Sequence, residues 1–218
     1  MTKSRLKLKY VIAIALIVAA TAAAFTLLKT RTRKNEAGMA MTLPPAEKSG
    51  GMPLMETLAR RRSSRSFSDD SVPVQTLSNL LWAANGLSSE DGRRTAPTAR
   101  NAQEIELYVI DRTGIYFFDY KNHSLERITD EDVTASASRF SAPLAIAIVA
   151  DLQKAASRDM ALADSGFVGQ NIYLAATSMG LASVIMLSSF DRETMTQKLD
   201  LAPHQELIFI HAIGFPAK

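Results

Sequence analysis

The chain has 218 residues, of which 47% are apolar and 22% are charged, so it can form one domain with a hydrophobic core and is not disordered throughout. It has no cysteine, which excludes disulfides, iron–sulfur clusters and thiol catalysis, and its three histidines are too scattered to indicate a metal site. Residues 1–34 hold eight basic and no acidic side chains, so the remainder of a chain of net charge +3 carries −5, which argues against a nucleic-acid partner.

The N-terminal 51 residues divide by composition into a basic head (residues 1–9), an uncharged segment (10–28) and a linker (29–51). The 19 residues 10–28 would span about 28 Å as a helix, which is close to the hydrocarbon thickness of a bilayer. They predict an uncleaved membrane anchor, with a cleaved signal peptide or a buried helix as alternatives, and cleavage would leave a secreted protein. A short basic head usually stays inside the cell, so the domain is expected to be extracytoplasmic, in the periplasm or at the cell surface.

The domain that follows (residues 52–218) mixes helical and strand patterns. Helices are predicted at 53–62, 73–85, 159–179 and 191–199, and strands at 105–111, 115–120, 143–150, 181–187 and 206–213. Because hairpins alternate with helical crossovers, we expect an α+β fold with a mixed sheet flanked by helices, preceded by the transmembrane or signal helix.

Arginines are concentrated in two predicted loops. They are Arg60, Arg61, Arg62 and Arg65 in the first loop, and Arg93, Arg94 and Arg100 in the second. The planar guanidinium group matches two phosphate oxygens at once, so such clusters in an acidic domain indicate an anion site. The alternatives are a solvated basic face, or ion pairs with Asp69, Asp70 and Glu90.

No motif in the chain supplies a catalytic acid, base or nucleophile. The sequence lacks a glycine-rich nucleotide loop, a nucleophile elbow and a zinc-protease motif. The paired carboxylates Asp69–Asp70 and Glu131–Asp132 have the context of loop or cap residues, so we predict no catalytic side chain and no metal.

Five segments resemble, in the same order, conserved stretches of the nitroreductase superfamily, whose members are FMN-dependent oxidoreductases. They are RRSSRSF (61–67), TAPTARNAQEIELYV (95–109), DSGFVGQNIYLAATSMGLAS (164–183), MLSSFD (186–191) and IGFP (213–216). Together with LSNLLWAANG (77–86) and DGRRTAPTARNAQE (91–104), they look most like the branch that includes the thiazoline and oxazoline oxidases.

The resemblance implies a flavin site built from both arginine loops. Arg61 would bind the FMN phosphate, Ser63 would bind the phosphate or the ribityl chain, and Arg65 would lie at the N1/O2 edge of the flavin. Asn101, in the same Asn–x–Gln motif as Gln103, would meet the pyrimidine edge. A fixed cation near N1 would stabilise the negative charge of the reduced flavin.

The same resemblance implies that a backbone N–H group of Leu187, Ser188 or Ser189 faces flavin N5. Many family members also supply a basic residue to the phosphate from a tail beyond the terminal Gly–x–Pro, whereas this sequence continues only to Lys218. Candidates for that role are Lys218, Arg62, Arg93, Arg94 and Arg100.

The implied activity is ping-pong hydride transfer through flavin N5, from a nicotinamide (NADH or NADPH) or quinol donor to a small electrophilic acceptor such as a nitro compound or a quinone. The resemblance also implies a homodimer with FMN at the subunit interface, tethered to the membrane through residues 10–28. The alternative function is a non-catalytic flavin- or anion-binding module on the same tether.

Overall fold

The structure, a computed structural model, describes residues 40–217. The predicted anchor (10–28), the first part of the linker and Lys218 lie outside the described residues. Within residues 40–217 no helix is both long and apolar enough to cross a membrane.

The centre of the domain is a seven-stranded sheet in the order β1-β4-β3-β2-β5-β7-β6. Its strands are β1 (Ala40–Thr42), β2 (Ile105–Asp111), β3 (Gly114–Asp119), β4 (Ser124–Thr129), β5 (Leu144–Asp151), β6 (Ala182–Met186) and β7 (Gln205–Gly214). All neighbouring strands among these are antiparallel, so the α+β class is confirmed but the predicted mixed sheet is wrong.

The helical crossover between β5 and β6 explains this difference. Both strands pair antiparallel with β7 and therefore run parallel to each other. The last strand of the chain lies between them, so the crossover joins two parallel strands that never form a hydrogen-bonded pair. β6 is left at the end of the strand order, with one edge free of any neighbouring strand.

Five α-helices in residues 40–217 cover the sheet. They are α1 (Leu54–Arg60), α2 (Val74–Asn85), α3 (Thr134–Ala137), α4 (Arg158–Ser178) and α5 (Arg192–Lys198). The helices α4 and α5 begin at residues that cap them, because the side chains of Ser157 and Asp191 accept the backbone N–H groups of Met160 and Thr194. The helices α2 and α4 lie on one face of the sheet, and α3 and α5 lie on the other.

Side-chain size differs between the two faces of β5. Leu144, Ile146, Ile148 and Ala150 point into the core beneath α2 and α4, whereas Ala145, Ala147 and Val149 point toward the shorter helices α3 and α5. The whole strand is buried, which confirms the prediction that it is covered on both faces. Most of its larger side chains thus face the longer helices.

The sequence patterns do not predict β1 or β4. β4 mixes charged and apolar residues over a short stretch, and β1 lies within the predicted linker (29–51). The structure pairs these two strands and buries Leu43, directly after β1. Residues 40–51 therefore belong to the folded domain, which begins before the predicted boundary near Met52.

Candidate functional site

The arginine–serine segment (residues 61–66) lies along the free edge of β6. The Ser64 N–H group donates to the Ser183 carbonyl oxygen at 2.9 Å, and the N–H group of Arg61 closes the last turn of α1 on Thr57. The segment lies where an eighth strand would pair with β6. The backbone hydrogen bond between the two is at Ser183, near the start of β6.

The C-terminal residues hold the end of this segment. Phe67 forms an isolated β-bridge with Pro216, and the Ala217 N–H group donates to the Ser66 carbonyl oxygen at 3.4 Å. The Gly–aromatic–Pro sequence thus fixes the arginine–serine segment to the end of β7. Lys218 follows Ala217 in the chain but lies outside the described residues.

Tyr173 of α4 lies beneath the segment and connects it to β6. Its hydroxyl group accepts the Ile185 N–H group at 3.0 Å and is 2.9 Å from Ser63 Oγ. Either hydroxyl group can donate in the Ser63–Tyr173 bond, and with Tyr173 as the donor the Ser63 proton is left for a further acceptor. The Arg61 guanidinium carbon lies 5.0 Å from the centroid of the Tyr173 ring. Ser63 and Arg61 thus both lie against the Tyr173 side chain.

His211 of β7 supports Tyr173 from below. Its ring is fully buried, packs edge-to-face on the Tyr173 ring at 4.5 Å between centroids, and neither ring nitrogen has a hydrogen-bond partner in the described part of the chain. Burial lowers the pKa of His211 to about 3, so the ring is neutral at physiological pH. It acts as a packing residue and places no second cation under Arg61.

Replacing His211 with Phe should make the free energy of unfolding depend less on pH below pH 6.5. The folded-state pKa lies below the ordinary value of 6.5, so the stability contributed by the neutral ring is complete above pH 6.5 and is lost as the pH falls toward about 3. Wild type should lose about 2 kcal/mol between pH 6.5 and pH 4.5 through this group. Urea unfolding across this range measures the loss. His204→Gln, at a half-exposed histidine, should keep the wild-type slope, and the account is wrong if His211→Phe keeps it too.

Residues 139 and 140, which follow α3, contact both Arg65 and the loop after β6. The Arg139 N–H group donates to the Ser189 carbonyl oxygen of that loop at 3.2 Å. The Arg65 guanidinium carbon lies 5.9 Å from the centroid of the Phe140 ring. Leu187 is 62% exposed at the start of the loop. Arg65 and the loop thus lie on the same side of the domain.

The outer edge of β6 bonds with the arginine–serine segment and with Tyr173. Ser183 and Ile185 direct their backbone groups away from β7, toward these two partners. Leu187 begins the bend that follows β6, and its carbonyl oxygen accepts from the Arg192 side chain at 2.9 Å. Ser188 and Ser189 follow it in the bend. The loop therefore begins next to the edge along which the arginine–serine segment lies.

Four arginines of this region have no carboxylate partner among residues 40–217. Within residues 40–217 no ion pair is made by Arg61, Arg62, Arg65 or Arg139. Asp69, one of the acids considered as a partner, instead pairs with Arg112 at 3.0 Å. Arg62 is exposed and donates to carbonyl oxygens at the end of α1. An excess of cations in and beside the arginine–serine segment is the arrangement expected for binding an anion.

Asn101 and Gln103 lie at the other end of the sheet. The pairing of β6 with β7, β7 with β5 and β5 with β2 places Ser183 level with Asp111, the last residue of β2. Asn101, in contrast, comes before Ile105, the first residue of β2. At about 3.3 Å per residue the two ends of β2 are about 20 Å apart along the strand. The Gln103 side chain donates to the Asn101 side-chain oxygen at 3.2 Å. One chain therefore brings the arginine–serine segment and the loop after β6 together, but not Asn101.

Asn101 and Gln103 line a pocket of about 510 Å³. The Arg94 guanidinium carbon lies 3.5 Å from the centroid of Tyr120 in its wall, and Asn85 is buried there with no hydrogen-bond partner for its Oδ1 atom in residues 40–217. Of the other arginines in this loop, Arg93 pairs with Asp91 and Arg100 is exposed. The second arginine cluster thus belongs to the Asn101 end of the sheet. No group of three or more potential metal-ligating side chains occurs in the described residues.

Comparisons with known proteins identify the class to which this fold belongs. The sequence pattern of the nitroreductase family matches residues 58–215. A protein of Methanocaldococcus jannaschii that carries the name of a nitroreductase is 32% identical over 178 residues, covering 71% of this chain and 87% of that protein. A crystal structure named as a nitroreductase, from Ralstonia eutropha, is 31% identical with a TM-score of 0.77, covering 84% of this chain and 91% of that one.

A third relative shares the fold at lower sequence identity. The Desulfovibrio desulfuricans structure, named as a nitroreductase in complex with FMN, is 22% identical with a TM-score of 0.57 and covers 78% of this chain and 89% of that one. By fold and sequence the protein is an oxidoreductase. The chain belongs to the nitroreductase family. The closer resemblance to thiazoline and oxazoline oxidases stays a prediction.

Proposed function

We propose that the chain is an FMN-dependent oxidoreductase whose phosphate site is the arginine–serine segment. The observation that carries this proposal is the set of arginines without an ion pair in residues 40–217 that lie in the same segment as Ser63, with Arg61 and Ser63 both against Tyr173. Arg61, with Arg62 or Lys218, would neutralise the phosphate, and Ser63 would donate its free proton to a phosphate or ribityl oxygen. The Desulfovibrio desulfuricans relative, which contains FMN, supports this choice of anion.

The residues further along the free edge suit the flavin ring. Arg65 would place a cation at the N1/O2 edge, and the Leu187, Ser188 or Ser189 N–H groups would donate at N5. Bound FMN supplies the redox chemistry, accepting a hydride from one substrate and passing it to the next. The task of the protein is then to bind, orient and electrostatically bias the ring, which explains why the sequence offers no catalytic acid or nucleophile.

We also propose that the site is completed in a homodimer. Asn101 and Gln103 lie about 20 Å from the arginine–serine segment along the sheet, so within one chain they are poorly placed to meet the same flavin. A second copy of the chain would bring its own Asn101 to the pyrimidine edge. The exposed apolar side chains of Leu54, Met55 and Phe167 on α1 and α4 support such an assembly, because they need a partner to be covered.

The electron donor depends on which side of the membrane the domain lies. We propose that residues 10–28 anchor the chain and that the domain is extracytoplasmic, where a membrane quinol or a partner protein would supply electrons in place of NADH or NADPH. The acceptor would be a small electrophile such as a nitro compound or a quinone. Protease digestion of intact cells tests the orientation: a protected C-terminal domain would contradict it and favour a nicotinamide donor.

Steady-state turnover tests the oxidoreductase proposal. The purified full-length chain, loaded with FMN, should oxidise NADH or a reduced quinone analogue when a quinone or nitroaromatic acceptor is added. Double-reciprocal plots at several acceptor concentrations should be parallel, because a ping-pong reaction releases the first product before the second substrate binds. FMN binding without turnover for every donor–acceptor pair would contradict catalysis and support the alternative of a binding module.

A further inference from the structure

The segment that carries Asn101 has an unusual backbone. Arg100, Asn101 and Gln103 have φ values of 58°, 55° and 54°, in the left-handed region that side chains other than glycine rarely adopt. A run of such residues persists only where surrounding contacts hold it. The asparagine segment (residues 98–103) must therefore be fastened to its neighbours.

One backbone N–H group fastens the segment to α4, and another closes the segment on itself. The Ala99 N–H group donates to Asp164 Oδ2 at 2.8 Å, and the Gln103 N–H group donates to Thr98 Oγ1 at 2.9 Å. Asp164 belongs to α4 and is 2% exposed. One buried carboxyl group on a long helix thus holds the start of the segment.

A second carboxyl group lies beside the first. Glu104, directly after the segment, is 1% exposed, and neither of its carboxyl oxygens finds a donor among the described residues. The charged groups that face it are Asp164 from α4 and Arg94 from the preceding loop. Two ionised carboxylates are both acceptors and cannot bond with each other, whereas a proton on Glu104 turns the contact into a hydrogen bond.

We propose that a proton held between Glu104 and Asp164 fastens the asparagine segment, so that the segment opens more readily as the pH rises toward neutrality. Burial is the largest cause of a pKa of Glu104 raised to about 7, and the Asp164 carboxyl group raises it further, whereas the Glu104 backbone N–H group and Arg94 act in the opposite direction. Glu104 and Asp164 are positioning residues: they act on a flavin through Asn101 and touch no substrate. The effect on FMN rests on the proposed function, but the effect on the segment does not.

The sign of the pH dependence follows from proton release. Opening the segment exposes Glu104 to water, where its pKa returns toward the ordinary 4.5, so opening releases a proton between pH 4.5 and about 7. The opening constant should rise about tenfold per pH unit in that interval and become constant above it.

Amide hydrogen exchange on the full-length protein without FMN tests the proposal. Protection factors for the Ala99 and Gln103 amides, corrected for the intrinsic pH dependence of exchange, should fall from pH 5 to about 7 and then level off in wild type. Glu104→Gln should abolish this dependence, because the amide N–H of glutamine donates to Asp164 at every pH. Asp164→Asn should reduce it, because its side-chain amide donates to ionised Glu104 and only burial is left to raise the pKa of that carboxyl group.

Glu106→Gln is the matched control. This carboxylate lies two residues further along β2 and accepts from Lys154 at 3.4 Å, so its neutralisation should leave the pH dependence as in wild type. The inference is overturned if wild-type protection at Ala99 and Gln103 is independent of pH, or if both Glu104→Gln and Asp164→Asn keep the wild-type dependence.

FMN titrations at pH 5.5 and 8 separate this inference from the proposed function. Wild type should bind FMN more weakly at the higher pH, and Glu104→Gln should bind equally at both. Absence of FMN binding at either pH would contradict the proposed function while leaving the exchange result standing. Binding that is equally pH-dependent in wild type and Glu104→Gln would overturn the link between the proton and the flavin.

Discussion

Replacing Arg61, Arg65 and Asn101 together with Ala should abolish stable FMN binding. Each side chain would supply a hydrogen bond to a charged or strongly polar flavin atom, and such bonds contribute about 1.5–3 kcal/mol each. The three together amount to about 5 kcal/mol or more, which corresponds to at least a 1,000-fold weaker dissociation constant. Titration of the purified variant with FMN, followed by quenching of flavin fluorescence, measures the loss.

The control for this variant removes the same kinds of side chain elsewhere. Arg112, Arg127 and Asn122 are on or beside the β3 hairpins, and their replacement with Ala should leave FMN affinity within about twofold of wild type. Thermal unfolding of both triple variants confirms that each is folded. If the Arg61/Arg65/Asn101 variant retains FMN as firmly as wild type does, the phosphate and ring sites lie somewhere else.

Mixing two binding-deficient variants should restore part of the FMN binding. Arg61→Ala leaves Asn101 intact, and Asn101→Ala leaves Arg61 intact. If the flavin lies between two chains, a mixed dimer has one complete site and one site that lacks both side chains. Random reassociation forms mixed dimers in half of the population, so about one quarter of all sites should regain wild-type affinity. FMN titration of the variants, unfolded and refolded together, gives the fraction.

Two outcomes would contradict a shared site. If co-refolded variants bind no more FMN than the same variants refolded separately and then combined, Arg61 and Asn101 serve one flavin from within a single chain, or serve different ligands. If either single variant binds as wild type does, that residue is not part of the site. Cross-linking of the mixture verifies that mixed dimers have formed.

The fold was predictable where one pattern governed a whole element. The buried strand at 144–151 and the long helix at 158–178 match their predicted positions to within one residue at each end, because a continuous apolar run and a capped helix are strong local signals. Strand direction was not predictable in this way. It depends on β7, the last strand, lying between β5 and β6, and no local pattern of residues contains that information.

The apolar side of α1 is exposed, although its sequence pattern predicts a buried one. Leu54, Met55 and Leu58 form an apolar side that resembles a core-facing stripe, yet all three are exposed in the single chain. Helical periodicity reports that a side of a helix is apolar but does not say whether the same chain or another one covers it.

The sequence predicts the charged residues of the candidate site but not the buried residues that position them. Arg61, Ser63 and Arg65 are recognisable by clustering and by resemblance to the family. Tyr173 and Glu104 have no such signal, since one tyrosine on a helix and one glutamate before a strand are ordinary in sequence. Only the structure shows that the Tyr173 hydroxyl group bonds to both Ser63 and β6. Likewise, only the structure shows that the Glu104 carboxyl group is buried without a donor among residues 40–217.

The measurement that tests the account most directly is an FMN titration of the purified full-length chain, with riboflavin as the matched ligand that lacks the phosphate. We expect uptake of one FMN per chain with the visible absorbance of a bound flavin, and riboflavin binding at least about 100-fold weaker because the arginine–serine segment has no phosphate to hold. A colourless protein that takes up neither flavin would contradict the central claim. Equal affinity for the two flavins would contradict the phosphate site assigned to Arg61 and Ser63.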